Sequence, residues 1–147
     1  MADSSDQSSA TRQSRMADLA LSASCAEPGE AADLLRELQA LLIGAATART
    51  KSISAGAEAA RFEALLAADA CASAVLLLMA GRAGYMVSQG LSGRVMATVT
   101  LGNGRGEVSS EGADLSLALI GALAEALSGP DQAERPAQRG PVSLRLN

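Results

Sequence analysis

A chain of 147 residues that is 48% hydrophobic can bury one sizeable core but not two once its polar ends are subtracted. Sixteen Asp and Glu against twelve Lys and Arg give a formal charge of -4, which weighs against broad binding to nucleic acid or anionic membranes. The absence of histidine excludes His-dependent triads, imidazole metal sites and phospho-His transfer.

Residues 1–15 are mainly Ser, Asp, Gln, Arg and Thr and lack the apolar area that offsets ordering, so a flexible polar arm is expected there. With acids at Asp3 and Asp6 and no apolar run, this stretch does not read as a secretory signal, and a cytoplasmic location is the default. A single domain is expected over 16–129. Met16, Leu19 and Ala20 open it as a short helix that stops before Glu27-Pro28-Gly29. Pro28 suits the first turn of the next helix, and Glu30 and Asp33 put negative charge where the helix dipole favours it. Leu34, Leu35, Leu38, Leu41 and Leu42 then recur at helical spacing, predicting an amphipathic helix over about 30–48.

After a polar break at 50–56, in which Ser54 can serve as a cap, a second helix is expected from Ala55 to Leu78 or beyond. Asp69 disturbs it, falling at nearly the same angle as Phe62, Leu65 and Leu76. Its ordinary reading is a kink or edge position facing water, and its functional reading is an ion pair at an interface with a partner. Val75–Met79 is apolar all round, as a central helix would be. Only twelve residues, 70–81, separate Asp69 from Arg82, short of the roughly 20 that a membrane span needs. Gly81, Gly84, Gly90 and Gly93 then weaken helical structure, and Tyr85, Met86 and Val87 are read as its continuation past a kink.

The stretch Gly93–Ser128 specifies most. Asn103-Gly104 is the favoured two-residue hairpin turn, which sets Leu101 across from Gly106, Thr100 across from Glu107, Val99 across from Val108 and Thr98 across from Ser109. Alternation read separately gives the same register: Val95, Ala97, Val99, Leu101 and Val108 share a dry face, and Thr98, Thr100, Glu107 and Ser109 share the other. The same Gly-rich run, Gly102–Gly106, lacks the helix opening and the Lys-Ser/Thr of a phosphate loop, so it is a turn and no nucleotide cofactor is expected. Ser110 or Asp114 can cap a helix striped by Leu115, Leu119, Ile120, Ala122, Leu123 and Leu127, which Gly129-Pro130 ends. Residues 130–147 form a linker and a strand-like tail. In that tail Val142, Leu144 and Leu146 alternate with Ser143 and Arg145 and offer a third edge strand, in their own copy or in a neighbour.

The fold class expected is therefore α+β: two N-terminal helices, an antiparallel hairpin and a C-terminal helix, with that third strand available from the tail. No constellation for catalysis appears. Cys25 and Cys71 stand 46 positions apart with no CxxC and no nearby carboxylate cluster, and both are expected reduced, as small core or near-core side chains rather than metal ligands. A core with only Phe62 and Tyr85 as aromatics is short of buried area, which favours gaining burial from a second copy. The function expected is a non-enzymatic interaction, assembly or adaptor module that self-associates, with Asp69, Val142, Leu144 and Leu146 as candidate contacts. The alternative is a winged-helix-like DNA-binding regulator using Arg82, Arg94 and Arg105.

Overall fold

The computed structural model describes residues 3–45, 54–102 and 106–129. In chain order these form α1 (Asp3–Cys25), a single 3₁₀ turn (Pro28–Glu30), α2 (Ala31–Ala45), α3 (Ser54–Ala67), α4 (Cys71–Met79), β1 (Ala83–Gln89), β2 (Val95–Leu101), β3 (Glu107–Gly112) and α5 (Leu115–Ser128). The class is α+β, with one antiparallel sheet in the order β1-β2-β3.

The β2–β3 register is the one the turn residues predict: Thr100 faces Glu107, Val99 faces Val108 and Thr98 faces Ser109. Val95, Ala97, Val99 and Leu101 are buried, and Val108 packs half-buried against them. On the other face Thr98 and Ser109 share a hydrogen bond between their hydroxyls at 2.7 Å. The turn at 103–105 and the tail strand expected at 142–146 lie outside the described residues.

The third strand of the described sheet comes from a different place than the tail. Tyr85, Met86 and Val87 do not continue a helix; they lie in β1, which pairs with β2 along its whole length, Ala83 with Leu101 through Gln89 with Val95. The connection is the five-residue loop Gly90–Arg94. Gly93 N–H donates to Gly90 O and Gly90 N–H to Arg94 O, each at 3.1 Å, and Gly93 takes φ +80°, a backbone conformation that glycine adopts without steric penalty.

Helix α5 is the centre of the molecule. Asp114 caps it, accepting from Leu117 N–H at 2.9 Å, and every residue from Ser116 to Ala124 is buried. One side lies across β2 and β3 and the other against α1, with α2 and α4 completing the enclosure. The sequence placed the central helix at Val75–Met79 instead. That segment is the second half of the nine-residue α4, and its Leu76, Leu77 and Leu78 are only partly buried.

Two further boundaries differ from expectation. The first helix begins at Asp3, so the stretch expected as a flexible arm is, from Asp3 on, the first half of α1, mostly exposed over residues 6–15. Met16, Leu19, Ala20 and Ala23 are buried, and with no Gly or Pro ahead of them a helix docked at that end propagates back through polar residues of adequate propensity. The second expected helix is two. Asp69 ends α3 in the left-handed conformation, φ +56°, with Ala70 N–H bonded to Leu65 O at 2.8 Å and Asp69 N–H to Leu66 O at 3.1 Å. This pair of bonds is a Schellman motif with Asp where Gly is commonest.

The leucine helix matches its expectation closely. Pro28 opens the turn that leads into α2, Glu30 reaches back to accept from Glu27 N–H at 2.8 Å, and Leu35, Leu38 and Leu41 are buried with Leu34 and Leu42 packed beside them.

Candidate functional site

The strands β1 and β3 are the two edges of the described sheet, and their side chains differ. Strand β3 carries Glu107 and Glu111, charges of the kind that discourage edge-to-edge pairing. Strand β1 reads AGYMVSQ: no charge, no proline, and an unbroken register with no bulge. Nothing in its sequence blunts the edge.

The hydrogen bonds that bracket β1 fix which of its backbone groups are left unpaired among the described residues. Gly102 N–H donates to Arg82 O at 3.0 Å and Gly90 N–H to Arg94 O at 3.1 Å, so residues 82 and 90 turn towards β2. Because alternate residues of a strand point their N–H and C=O to opposite sides, Gly84, Met86 and Ser88 also face β2. Ala83, Tyr85, Val87 and Gln89 therefore present their N–H and C=O groups outward.

The same register places Tyr85 and Val87 on the face shared with Val99 and Ala97. Those two β2 residues are fully buried under α5, whereas Tyr85 is 50% and Val87 43% exposed, because the helix lies over β2 and β3 and leaves β1 largely uncovered. On the opposite face Met86 is 68% exposed and Met96, on β2, is exposed beside it. Leu91 stands fully exposed at the tip of the β1–β2 loop. The chain's only tyrosine thus sits on a strand left uncovered by the described residues, beside Met86, and tyrosine and methionine are residue types enriched at protein interfaces.

The other candidates do not converge. Asp69 is exposed at the α3–α4 break, away from this edge in sequence and topology, and makes no ion pair among the described residues. Val142, Leu144 and Leu146 fall outside the described residues, as does Arg105. Arg82 flanks the start of β1 and Arg94 the start of β2, at opposite ends of the sheet, roughly 26 Å apart at a strand's rise per residue. Arg94 is also engaged: its Nε lies 3.4 Å from Glu111 Oε2, and its Nη2 donates to Ser24 O at 3.2 Å, at the C-terminal end of α1 where a cation is favoured. Ser73–Met86, the segment ahead of the hairpin that a winged-helix arrangement would need as one recognition helix, is α4 followed by a turn and half of β1.

Among the described residues no group of three or more His, Cys, Asp or Glu is placed to hold a metal, and no helix is long and apolar enough to cross a membrane. Both cysteines are free. Cys25 is exposed; Cys71 is buried, and that burial, reinforced by the Asp69 and Asp114 carboxylates, holds its thiol above its ordinary pKa. Such a thiol has less thiolate at neutral pH and is a poor nucleophile. Gly81, Arg82, Leu101, Gly102 and Leu127 line an open cavity of about 370 Å³ where the last turn of α5 meets the start of β1. Among the described residues that line it Arg82 is the one charged group, and these supply no acid–base pair.

Sequence reasoning missed the β1 edge. Two signals for it were present: the β-favouring run Tyr85-Met86-Val87 and the Gly90-Leu91-Ser92-Gly93 turn that follows. No family model, curated protein or solved structure matches this chain.

Proposed function

We propose that this chain is a non-enzymatic interaction and assembly module, acting in the cytoplasm, that associates with a second copy of itself through the free edge of β1. The observation that carries this reading is a strand at the edge of the described sheet, with outward N–H and C=O groups at Ala83, Tyr85, Val87 and Gln89 that pair with nothing among the described residues, and no charge, proline or bulge to protect it. A second copy is the partner best suited to it. The edge offers no charge for a different protein to recognise, although the chain as a whole carries -4, and its donors and acceptors alternate so that an identical antiparallel strand satisfies them.

Sedimentation velocity over a wide concentration range tests the reading. The wild-type chain is expected to sediment as a dimer at the upper end of the range. Val87→Lys, which puts a charge beside the uncovered face of the edge, is expected to weaken association at least tenfold without loss of helical content by circular dichroism. A wild-type chain that stays monomeric throughout overturns it.

A further inference from the structure

We infer that the two copies pair isologously, β1 against β1 and antiparallel, about a two-fold axis that passes between Met86 of one copy and Met86 of the other. This rests on the self-association proposed above and adds its register, its contacts and its symmetry.

The register follows from which groups are free. In an antiparallel pair, hydrogen bonds are exchanged only between residues whose N–H and C=O point at each other, and in β1 those are 83, 85, 87 and 89. A two-fold arrangement must therefore pair odd residues with odd residues. Only one such register uses the whole strand: Ala83 opposite Gln89 of the second copy, Tyr85 opposite Val87, and each reciprocally. Shifting it by two residues in either direction loses two of the seven opposed positions.

This register also suits the side chains. Tyr85 of each copy stands beside Val87 of the other, on the face that α5 leaves uncovered, giving two aromatic to β-branched cross-strand pairs of the kind that stabilise sheets. Met86 meets its counterpart on the opposite face, next to the exposed Met96. The four hydrogen-bonded positions exchange two bonds each, giving eight new inter-copy bonds, within the roughly 10 ± 5 of an ordinary protein interface. The product is one continuous six-stranded sheet with β3 at both outer edges, where Glu107 and Glu111 oppose further growth. Assembly closes at two copies.

The test is disulfide trapping in a chain whose own cysteines are replaced, Cys25→Ser and Cys71→Ala. At the axis Met86 and its counterpart form a non-hydrogen-bonded pair with Cα atoms about 4.5 Å apart, within the span a disulfide bridges. Met86 is exposed, so Met86→Cys is compatible with the fold. Ser88 points to the same face, but in this register it stands four residues along the strand from its counterpart, roughly 13 Å, beyond a disulfide's reach. With diamide as oxidant, Met86→Cys is expected to form covalent dimer at least tenfold faster than Ser88→Cys. If Met86→Cys sediments as a dimer yet does not crosslink, or if Ser88→Cys crosslinks equally fast, the pairing is overturned while self-association stands. If the wild type and the cysteine-free parent are monomeric at every concentration, the functional reading fails and this pairing fails with it.

Discussion

Two glycines determine how closely the layers around α5 approach. A Cβ built on Gly121 would lie 2.5 Å from Ser110 Oγ and 3.2 Å from Ser110 Cβ, with Ala20 O 3.7 Å away, so the helix fits between β3 and α1 only without a side chain there. Gly121→Ala sets two effects against each other: about 1 kcal/mol of helix propensity gained and about 1–3 kcal/mol of overpacking lost. The net expectation is a loss of about 1 kcal/mol, read as a lower urea midpoint with an unchanged slope. The hydroxyl makes the worst contact, so in a Ser110→Ala background the same substitution becomes neutral or stabilising. A cycle in which the two changes are strictly additive would refute the close approach. At Gly112 the obstruction is backbone, since a Cβ would meet the Ala118 nitrogen, with Leu117 C at 2.8 Å and Leu117 Cβ at 2.9 Å. No rotamer relieves that, and Gly112→Ala is expected to be the more damaging of the two, by about 3 kcal/mol at the top of the overpacking range.

At the scale of elements, the break between α3 and α4 rests on one residue in an unfavourable conformation. A left-handed residue with a Cβ loses roughly 1–2 kcal/mol relative to its right-handed state, a penalty that Asp and Asn partly relieve by local hydrogen bonding and that glycine escapes. Asp69→Gly is therefore expected to raise stability by about 0.5–1 kcal/mol and Asp69→Val to lower it by about 1 kcal/mol or more, both measurable by chemical denaturation. A destabilising Asp69→Gly would mean that the carboxylate supports the junction in a way its exposure does not explain. The break was half legible: the charge at Asp69 interrupts the apolar face of Phe62, Leu65 and Leu76, but periodicity cannot tell a kink from a full stop. The β2–β3 pairing and the α2 leucines were legible because turn chemistry and side-chain alternation are local. Strand β1 was not. Residues such as Met86 and Tyr85 are exposed on opposite faces of it, so no period-2 contrast marks the segment, and its status as an edge depends on how many strands the sheet contains. The central place of α5 was hidden for a related reason: in the Ala-rich run Leu117–Ala126, small residues fit against two layers at once, and a single apolar stripe describes only one of the two buried sides.

For the molecule as a whole, association and stability become one quantity. A domain of this size has a net stability of about 0.05–0.15 kcal/mol per residue, and here it draws on a core in which Phe62 is the one fully buried aromatic. A second copy that binds only the folded state adds to that margin in proportion to the logarithm of its concentration over the dissociation constant, about 2.7 kcal/mol at a hundredfold excess. The thermal midpoint of the wild-type chain is accordingly expected to rise by several degrees between dilute and concentrated solution, whereas that of Val87→Lys should begin to rise only at concentrations at least tenfold higher. Salt separates this edge from a charged interface. Because β1 carries no Asp, Glu, Lys or Arg, the dimer should hold or tighten between low and high ionic strength at neutral pH as repulsion between two chains of -4 each is screened. An interface built on Arg82, Arg94 or the carboxylates would loosen instead. A midpoint independent of concentration in the wild type, or a dimer that dissociates as salt is raised, would place the contact somewhere other than this uncharged strand.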